Sequence, residues 1–506
     1  MAKSSETEIK LRLDPGDAEG FASLEALGGR KLDRRRLHTI YFDDKERRLA
    51  AHGFELRVRS DGAAHVQTIK SGRGLERGEW ETPVSGVLPD WSAARGTPAH
   101  KVLRKDDALK SIFVVDVERR SWRVEEDGAV AEVSLDCGEI ISGERRQPIA
   151  EAEIELKAGS PKFLFDLARK AIRSCDATPC FVGKALRGRR LELGEAESTQ
   201  SALDLELRPG ATAMAAFQQI VDACLAQASL NEELLRRHPG DVEAVHCLRV
   251  AIRRLRAALA LFAPMIAGAP WRALKAGLGW LSRLLGEVRD LDVLITETIE
   301  RARNSFPGVS SLDRLRDLCG ELRQAAQRNL EDALRSERFR RLLLDALEFT
   351  HAGAWISEED RCKSKLRGMS VASFAAKRLE RRLDAMTSRK NRDCIVGANE
   401  KDRHRLRIKA KKLHYMAEFF GSLSPTKRYC AIAEALHDLQ EALGDIHDGV
   451  AAEQFVSKLL IPDNNADLPV AAGLLKPNPT SEADSLAVAC VAHRKLRRAK
   501  PFWRAF

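Results

Sequence analysis

Three short stretches place charged side chains two residues apart, and each mixes or repeats signs in a way that could do chemistry. Glu6, Glu8, Lys10 and Arg12 alternate with Ile9 and Leu11; Glu55, Arg57 and Arg59 alternate with Phe54, Leu56 and Val58; Glu151, Glu153, Glu155 and Lys157 alternate with Ile154 and Leu156. Side chains two apart on an extended strand share a face, so each stretch has one charged and one apolar face. A single strand of this kind reads as part of a sheet with one solvated side. Its repetition points instead to a closed sheet with a polar interior and an apolar exterior packed against helices. Arg and Lys are the groups that hold the oxygens of a dense polyanion such as a triphosphate, and carboxylates hold hard divalent cations such as Mg²⁺ or Mn²⁺. The two sets together suit in-line attack at phosphorus.

The elements that must position these residues change character near residue 190. Up to residue 157 the runs EIKLRL, GFELRVRS, HVQTIK, AVAEVSLD and AEAEIELK alternate apolar and polar residues and are separated by Gly, Asp and Pro, a mostly antiparallel β pattern. Helices are predicted near residues 15–27 and 161–174, each beginning at a proline. The expected fold class is therefore α+β for residues 4–190, a β-barrel tunnel with flanking helices. Residues 191–205 read as a linker and residues 206–505 as an all-α domain. Within the latter, residues 461–483, with Pro462, Pro469, Pro477 and Pro479, read as a flexible loop.

The helical half is internally duplicated. His246, Arg249, Arg253, Arg254 and Leu255 recur as His404, Arg407, Lys411, Lys412 and Leu413, and Leu285-Gly286-Glu287 with Asp290 recurs as Leu443-Gly444-Asp445 with Asp448, both at an interval of 158. A constant interval for separated motifs predicts two homologous helical-bundle units. His246, Arg249, Arg253 and Arg256 follow steps of three and four along a helix, as do His404, Arg407 and Lys411, so each unit carries a basic stripe. One stripe alone is as well read as a solvated helix face; two favour a function.

The chain has 506 residues and a net charge of +10. Residues 1–200 hold 35 bases and 35 acids, so the excess lies wholly in the remainder, 49 against 39. A basic surface attracts nucleic acid, anionic lipid or another polyanion, and charge alone does not choose among them. Nucleic acid is disfavoured because the bases are not interleaved with aromatic stacking groups. No stretch approaches the ~20 apolar residues of a membrane span, and the start MAKSSETEIK lacks the apolar centre of a secretory signal, so the expected compartment is the cytoplasm. The ten cysteines are scattered and fit neither a disulfide framework nor a zinc site. The ending HRKLRRAKPFW reads as a solvated helix end rather than a membrane-seeking segment.

Glu6-Thr7-Glu8-Ile9-Lys10 matches the ExExK signature of CYTH domains, the triphosphate tunnel metalloenzymes. It is followed in order by Tyr41-Phe42-Asp43, Leu56-Arg57-Val58-Arg59, Thr68-Ile69-Lys70, Arg77-Gly78-Glu79, Arg119 before Trp122, Glu132 through Asp136-Cys137-Gly138-Glu139, Glu153-Ile154-Glu155, and Lys184 with Arg187. Residues 4–190 resemble that family, and the resemblance implies an eight-stranded antiparallel barrel. It further implies metal binding by Glu6, Glu8, Glu153 and Glu155, with Asp136 as a further ligand or water-orienting group. Phosphate contacts are implied for Lys10, Arg57, Arg59, Lys70, Arg119, Lys184 and Arg187. Two points stay open: Gly183 stands where relatives often have Ser, and Arg119 cannot be told from its oppositely facing neighbour Arg120 by pattern.

Residues 206–505 resemble a CHAD domain. That resemblance implies two four-helix units around a basic groove that binds inorganic polyphosphate through His246, Arg249, Arg253, His404, Arg407, Lys411 and Lys412, with His447 aligned to Arg289. The order CYTH then CHAD implies a Mg²⁺- or Mn²⁺-dependent inorganic triphosphatase, in the cytoplasm and associated with polyphosphate granules. Adenylate cyclase and thiamine or nucleoside triphosphatase are alternatives on the same fold. A non-enzymatic polyphosphate-binding adaptor is the alternative from another class, and it leaves the acids without a purpose.

Overall fold

The computed structural model describes residues 4–27, 32–62, 64–72, 76–102, 108–387, 395, 400–424, 427–459, 468–475 and 479–506. Two compact units are present. One comprises Met1–Gln200, Leu225–Arg237 and Ala333–Ile356; the other comprises Ser201–Cys224, His238–Asp332 and Ser357–Phe506. The helical region expected from residue 206 onward is thus divided between the units. The physical reason is that an amphipathic helix advertises a face to be buried without saying against what.

The first unit is built on an antiparallel sheet of nine strands: β1 (Ser4–Arg12), β2 (Leu32–Asp43), β3 (Phe54–Ser60), β4 (His65–Ser71), β5 (Glu76–Val84), β6 (Lys110–Glu126), β7 (Ala129–Ser142), β8 (Arg145–Ala158) and β9 (Thr178–Pro179). Their order is β5-β4-β3-β2-β6-β7-β8-β1-β9, with a further pairing of β1 to β5 that runs from Ser4↔Glu79 to Thr7↔Glu76. Nine strands replace the expected eight because Thr178 and Pro179 pair with Arg12 and Leu11. Two residues are too few to show an alternation.

The two faces of the sheet are chemically distinct, as the alternation requires. Ile9, Leu11, Val133, Leu135, Ala152 and Ile154 pack on Leu164, Phe165, Ala168 and Ile172 of the helix Lys162–Ser174, together with Leu344 and Leu347. Each large aliphatic side chain buried there contributes about 1.5–3 kcal/mol over an exposed one. A second apolar cluster joins Phe42, Leu56, Val58, Ile69 and Trp80 to Leu49 and Ala99. The Tyr-Phe-Asp run has a structural purpose: buried Asp43 accepts from the backbone N–H groups of Asp44, Leu49 and Ala50 at 2.8, 3.0 and 3.0 Å, anchoring the turn into β3.

A third cluster lies on the charged face. Leu37, Tyr41, Phe113, Val115 and Ile140 meet Ala185 and Leu191 of the helix Lys184–Leu193. Gly188 permits this seat, since a Cβ there would lie 2.2 Å from the Phe113 ring. The helix therefore fills part of the polar side of the sheet and fixes where its first residue, Lys184, stands.

In the second unit, helices begin at Ala213, Val242, Ala269 and Ser310, and again at Val371, Glu400, Lys427 and Leu468, each 158 residues later. The helices Val242–Leu261 and Glu400–Phe420, which carry the basic stripes, lie side by side. Arg254 donates to Glu418 from Nε at 2.9 Å and also from Nη2, and the Arg253 guanidinium lies 5.7 Å from the Tyr415 ring centre. The loop expected over residues 461–483 is corrected where the structure describes it: Leu468–Leu474 and Pro479–Arg498 are helical. Proline breaks a helix interior but suits a helix start, and Pro479 is the first residue of its helix. Phe502 and Trp503 of the basic C-terminal segment are buried, and Trp503 donates to Glu380 at 2.6 Å. Among the described residues no helix is long and apolar enough to cross a membrane.

Candidate functional site

The charged faces of β1, β3, β4, β5, β6, β7 and β8 line a cavity of about 200 Å³ that the N-terminus of the helix Lys184–Leu193 also faces. Glu8, Lys10, Arg57, Arg59, Lys70, Arg119, Glu153, Glu155 and Lys184 all line it, so the expectation from alternation is met by side chains from five strands and one helix. Gly183 and Ala185 line it too, which adds the partial positive charge of a helix start. Glu6 lies on β1, two residues before Glu8, but its side chain is outside the described residues.

At the centre is an ion-pair cluster around Glu153. Its Oε1 accepts from Lys10 Nζ at 2.8 Å and Lys184 Nζ at 2.9 Å, and its Oε2 from Arg119 Nη2 at 2.7 Å. Arg119 grips Asp136 with two parallel bonds of 2.7 Å, and Lys184 Nζ reaches Asp136 Oδ2 at 2.9 Å and Glu151 Oε1 at 2.7 Å. Burial works against the charge on Glu153, yet Lys10, Lys184 and Arg119 hold its carboxyl well below its ordinary value. Asp136, also buried, is held below its ordinary value by Lys184 and Arg119. The reverse holds for the bases: despite burial, the carboxylates carry Lys184 and Arg119 well above their ordinary values. Glu153, expected among the metal ligands, thus has both oxygens engaged by cations. Asp136 is 1% exposed and reaches the cavity through Arg119 and Lys184 rather than by lining it.

The Arg119 and Arg120 alternatives are separated by register. Arg119 pairs across the ladder with Asp136 on the cavity side, whereas Arg120 points away and binds Glu19 at 2.9 Å. Arg187, expected to touch phosphate, does not line the cavity; it is 4% exposed and donates to Cys180 Sγ at 3.0 Å.

One side of the cavity is rich in bases. Lys70 Nζ lies 3.1 Å and Arg57 Nη2 3.7 Å from Glu79 Oε1. Burial opposes the charge on Arg57, but the Tyr41 hydroxyl and Glu79 beside it raise its pKa above the usual guanidinium value. Among the described residues Arg59 makes no ion pair. Arg57 beside it, then burial and Arg119, push its pKa down to about 10. A guanidinium in that position is short of negative charge.

The opposite side is rich in acids. Glu8 faces Glu155 directly across β1 and β8, and Glu155 faces Glu132 across β8 and β7. Like charges directly opposite one another destabilise a ladder. Burial first, then Glu132 and Glu8, raises the Glu155 carboxyl above its ordinary value against the pull of Lys157 at 2.6 Å. Glu8 is bound by Lys10 Nζ at 2.7 Å. Among the described residues no three His, Cys, Asp or Glu side chains converge as a ready metal-binding group. Even so, a row of carboxylates in which Glu155 is held above its ordinary value fits a divalent cation, which would relieve the repulsion that the row contains. Glu79 and Glu132 were absent from the expected site residues, although both alternate with buried neighbours, Trp80 in one case and Val133 in the other.

In the second unit, His246 is half-buried and Arg249 Nη1 donates to Asp290 at 3.0 Å. Burial, then Arg289, Arg249 and Arg253, lower the His246 pKa, with Glu243 opposing. In the second stripe, Arg407 lies beside Gly444, Lys411 is half-buried, and His404 and Lys412 are exposed. Each stripe therefore meets the Leu-Gly-acid segment of its own repeat. The side chain of His447 is outside the described residues.

The CYTH domain profile matches residues 4–176 and the CHAD domain profile matches residues 219–457. An inorganic triphosphatase from Haemophilus influenzae is 33% identical over 158 residues, which are 30% of this chain and 45% of that protein; the match thus spans less than half of the relative's length. The crystal structure of the CHAD domain from the plant Ricinus communis superposes with a TM-score of 0.50 at 28% identity, covering 60% of this chain and 98% of that one.

Proposed function

We propose, from the premise that residues 4–176 are a CYTH domain and residues 219–457 a CHAD domain, that this chain is a divalent-metal-dependent inorganic triphosphatase. The reaction is hydrolysis of triphosphate to diphosphate and phosphate in a tunnel formed by the eight long strands. The pairing of β1 with β5 supports the closure of that tunnel. One observation carries the reading: a single cavity of about 200 Å³ faces Arg59, which lacks an ion pair among the described residues, toward one side and the Glu8–Glu155–Glu132 row toward the other. A phosphate chain supplies the negative charge that the first lacks, and a divalent cation would add positive charge to the second, where three carboxylates meet only Lys10 and Lys157 among the described residues.

In this account Lys10, Arg57, Arg59, Lys70 and Lys184 hold the phosphate oxygens, and Arg119 joins them while gripped by Asp136. Glu8 and Glu155, with Glu6 on the same strand face, would hold Mg²⁺ or Mn²⁺, and Glu153 orders the bases rather than the metal. A divalent ion bound there supplies neutralisation of phosphate charge and a more acidic water. Among the described residues the cavity offers no apolar slot for a base or thiazolium beside the Tyr41 ring, which is already stacked on Phe113 at 4.4 Å. That supports triphosphate over ATP or thiamine triphosphate.

The helical region is proposed to bind inorganic polyphosphate as two homologous units. His246, Arg249 and Arg253 act from one and His404, Arg407, Lys411 and Lys412 from the other. The constant 158-residue interval between helix starts supports the duplication. Phosphate release from triphosphate, ATP and thiamine triphosphate, each with Mg²⁺ or Mn²⁺, tests the enzymatic reading. Hydrolysis chiefly of triphosphate is expected, and release from none of them, with Glu8→Ala indistinguishable from the wild type, overturns it.

A further inference from the structure

Behind Lys184 lies a line of buried and half-buried charges that the proposed reaction does not use. Glu151 is fully buried, with its Oε1 2.7 Å from Lys184 Nζ and its Oε2 3.6 Å from Arg187 Nη1. On the far side of Arg187, its Nε lies 4.0 Å from Glu233 Oε2. Glu233 belongs to Leu225–Arg237, a helical segment outside the matched CYTH residues that packs within the first unit. It is fixed there by Gln147 Nε2, which donates to Glu233 Oε1 at 3.3 Å, and by Arg12 Nη1 at 3.7 Å. The preceding residue, Glu232, takes the other end of Arg12, at 2.7 Å from Nη2.

We infer that Glu233 is a positioning residue of the tunnel, acting through Arg187 and Glu151 on Lys184. The inference rests on the reading of the cavity as a triphosphate site. A buried guanidinium between two carboxylates divides its attraction between them, and neither contact here is at hydrogen-bond distance. Glu233 draws Arg187 away from Glu151, which leaves Glu151 free to make its short contact with Lys184. With the charge of Glu233 removed, Arg187 has one carboxylate left and closes on Glu151 in competition with Lys184. Coulomb attraction at partly buried sites is several-fold stronger than in water, so the redistribution is large enough to move an ammonium on a four-carbon stem. Lys184 keeps its charge, because Asp136 and Glu153 remain within 2.9 Å. Only its position changes. Loss of position without loss of charge weakens binding of the phosphate chain in ground and transition states alike, which raises KM and leaves kcat nearly unchanged.

The proposal assigns part of the triphosphate site to a stretch of chain that belongs by sequence to the helical region. Glu232 is the control: it sits next to Glu233 but holds Arg12, not Arg187.

The test uses the full chain with Mn²⁺ and triphosphate, comparing Glu233→Gln, Glu151→Gln, the double variant and Glu232→Gln by steady-state kinetics and thermal unfolding. Glu233→Gln is expected to raise KM about tenfold with kcat within about twofold of the wild type. The double variant is expected to be no worse than the more affected single one, the non-additivity of groups acting through one another. Glu232→Gln is expected to lower the unfolding midpoint without raising KM. Unchanged KM in Glu233→Gln, additive effects in the double variant, or a KM rise in Glu232→Gln equal to that of Glu233→Gln would overturn the proposal. If the wild type hydrolyses no triphosphate, the parent reading of the reaction fails on its own. Calorimetric binding of triphosphate then decides the positioning role, which stands if Glu233→Gln weakens binding and falls if it does not or if the wild type binds none.

Discussion

Glu8 and Glu155 stand directly opposite one another across β1 and β8, two carboxylates on one face where a folded protein ordinarily places opposite charges or apolar groups. The next residue in the row, Glu132, extends the repulsion to a third strand. Such an arrangement is costly in the absence of a cation, and it makes the first prediction a separation of stability from activity. Glu155→Gln should abolish most metal-dependent hydrolysis, at least about 100-fold in kcat/KM. The same change should stabilise the metal-free protein at neutral pH by about 0.2–1 kcal/mol. Urea unfolding in the presence of EDTA, set beside activity, checks both halves.

The pH dependence follows from the same residue. The Glu155 carboxyl is raised above its ordinary value by burial and by Glu132 and Glu8. Its favourable contribution to folding is therefore complete below the ordinary carboxylate pKa, about 4.3, and is lost as pH rises through the raised value. The advantage of Glu155→Gln over the wild type should accordingly be present at neutral pH and vanish on acidification below that range. Metal binding requires the deprotonated form, so the Mn²⁺ concentration for half-maximal activity should climb as pH falls through the raised pKa.

Arg59 tests the basic side. Its pKa is pushed down to about 10, first by Arg57, and no carboxylate among the described residues is paired with it. Arg59→Gln should raise KM for triphosphate by about tenfold or more, the loss of one charge-assisted contact, with no fall in the unfolding midpoint. A lower midpoint with unchanged KM would make Arg59 a structural residue.

These expectations show which parts of the site were legible before the fold. Period-two alternation was enough to put Glu8, Lys10, Arg57, Arg59, Glu153 and Glu155 on a common face, because the pleat leaves no other choice. It could not distinguish a carboxylate paired with a single lysine, Glu155, from one gripped by three bases, Glu153. That difference arises from which strands become neighbours and from the helix that brings Lys184. Duplicated motifs gave the interval of the helix starts, but nothing in the pattern around Glu232 or Leu344 says that these residues pack with the sheet.

The seat of the Lys184 helix yields a further prediction. A Cβ at Gly188 would meet Phe113 at 2.2 Å, so Gly188→Leu must displace either the helix or the ring. Overpacking of this kind costs about 1–3 kcal/mol, and it should raise KM for triphosphate as Lys184 moves. Thermal unfolding and kinetics on the same preparation check this.

In the helical unit, burial and then Arg289 lower the His246 pKa, so the ring is neutral near pH 7 in the free protein. A bound polyanion favours the protonated ring, which couples polyphosphate binding to proton uptake. Affinity for inorganic polyphosphate should rise as pH falls from about 7 toward 5, and His246→Gln should flatten that dependence. Binding measured by calorimetry across this range, at fixed salt, decides it.

The central claim is tested most directly by product analysis of the purified full chain incubated with inorganic triphosphate and Mn²⁺ or Mg²⁺, beside Glu8→Ala. The account predicts equimolar diphosphate and phosphate from the wild type, none after EDTA, and at least about a 100-fold lower rate from the variant. Hydrolysis that persists undiminished in EDTA and in Glu8→Ala, or no hydrolysis of triphosphate at all, would contradict it.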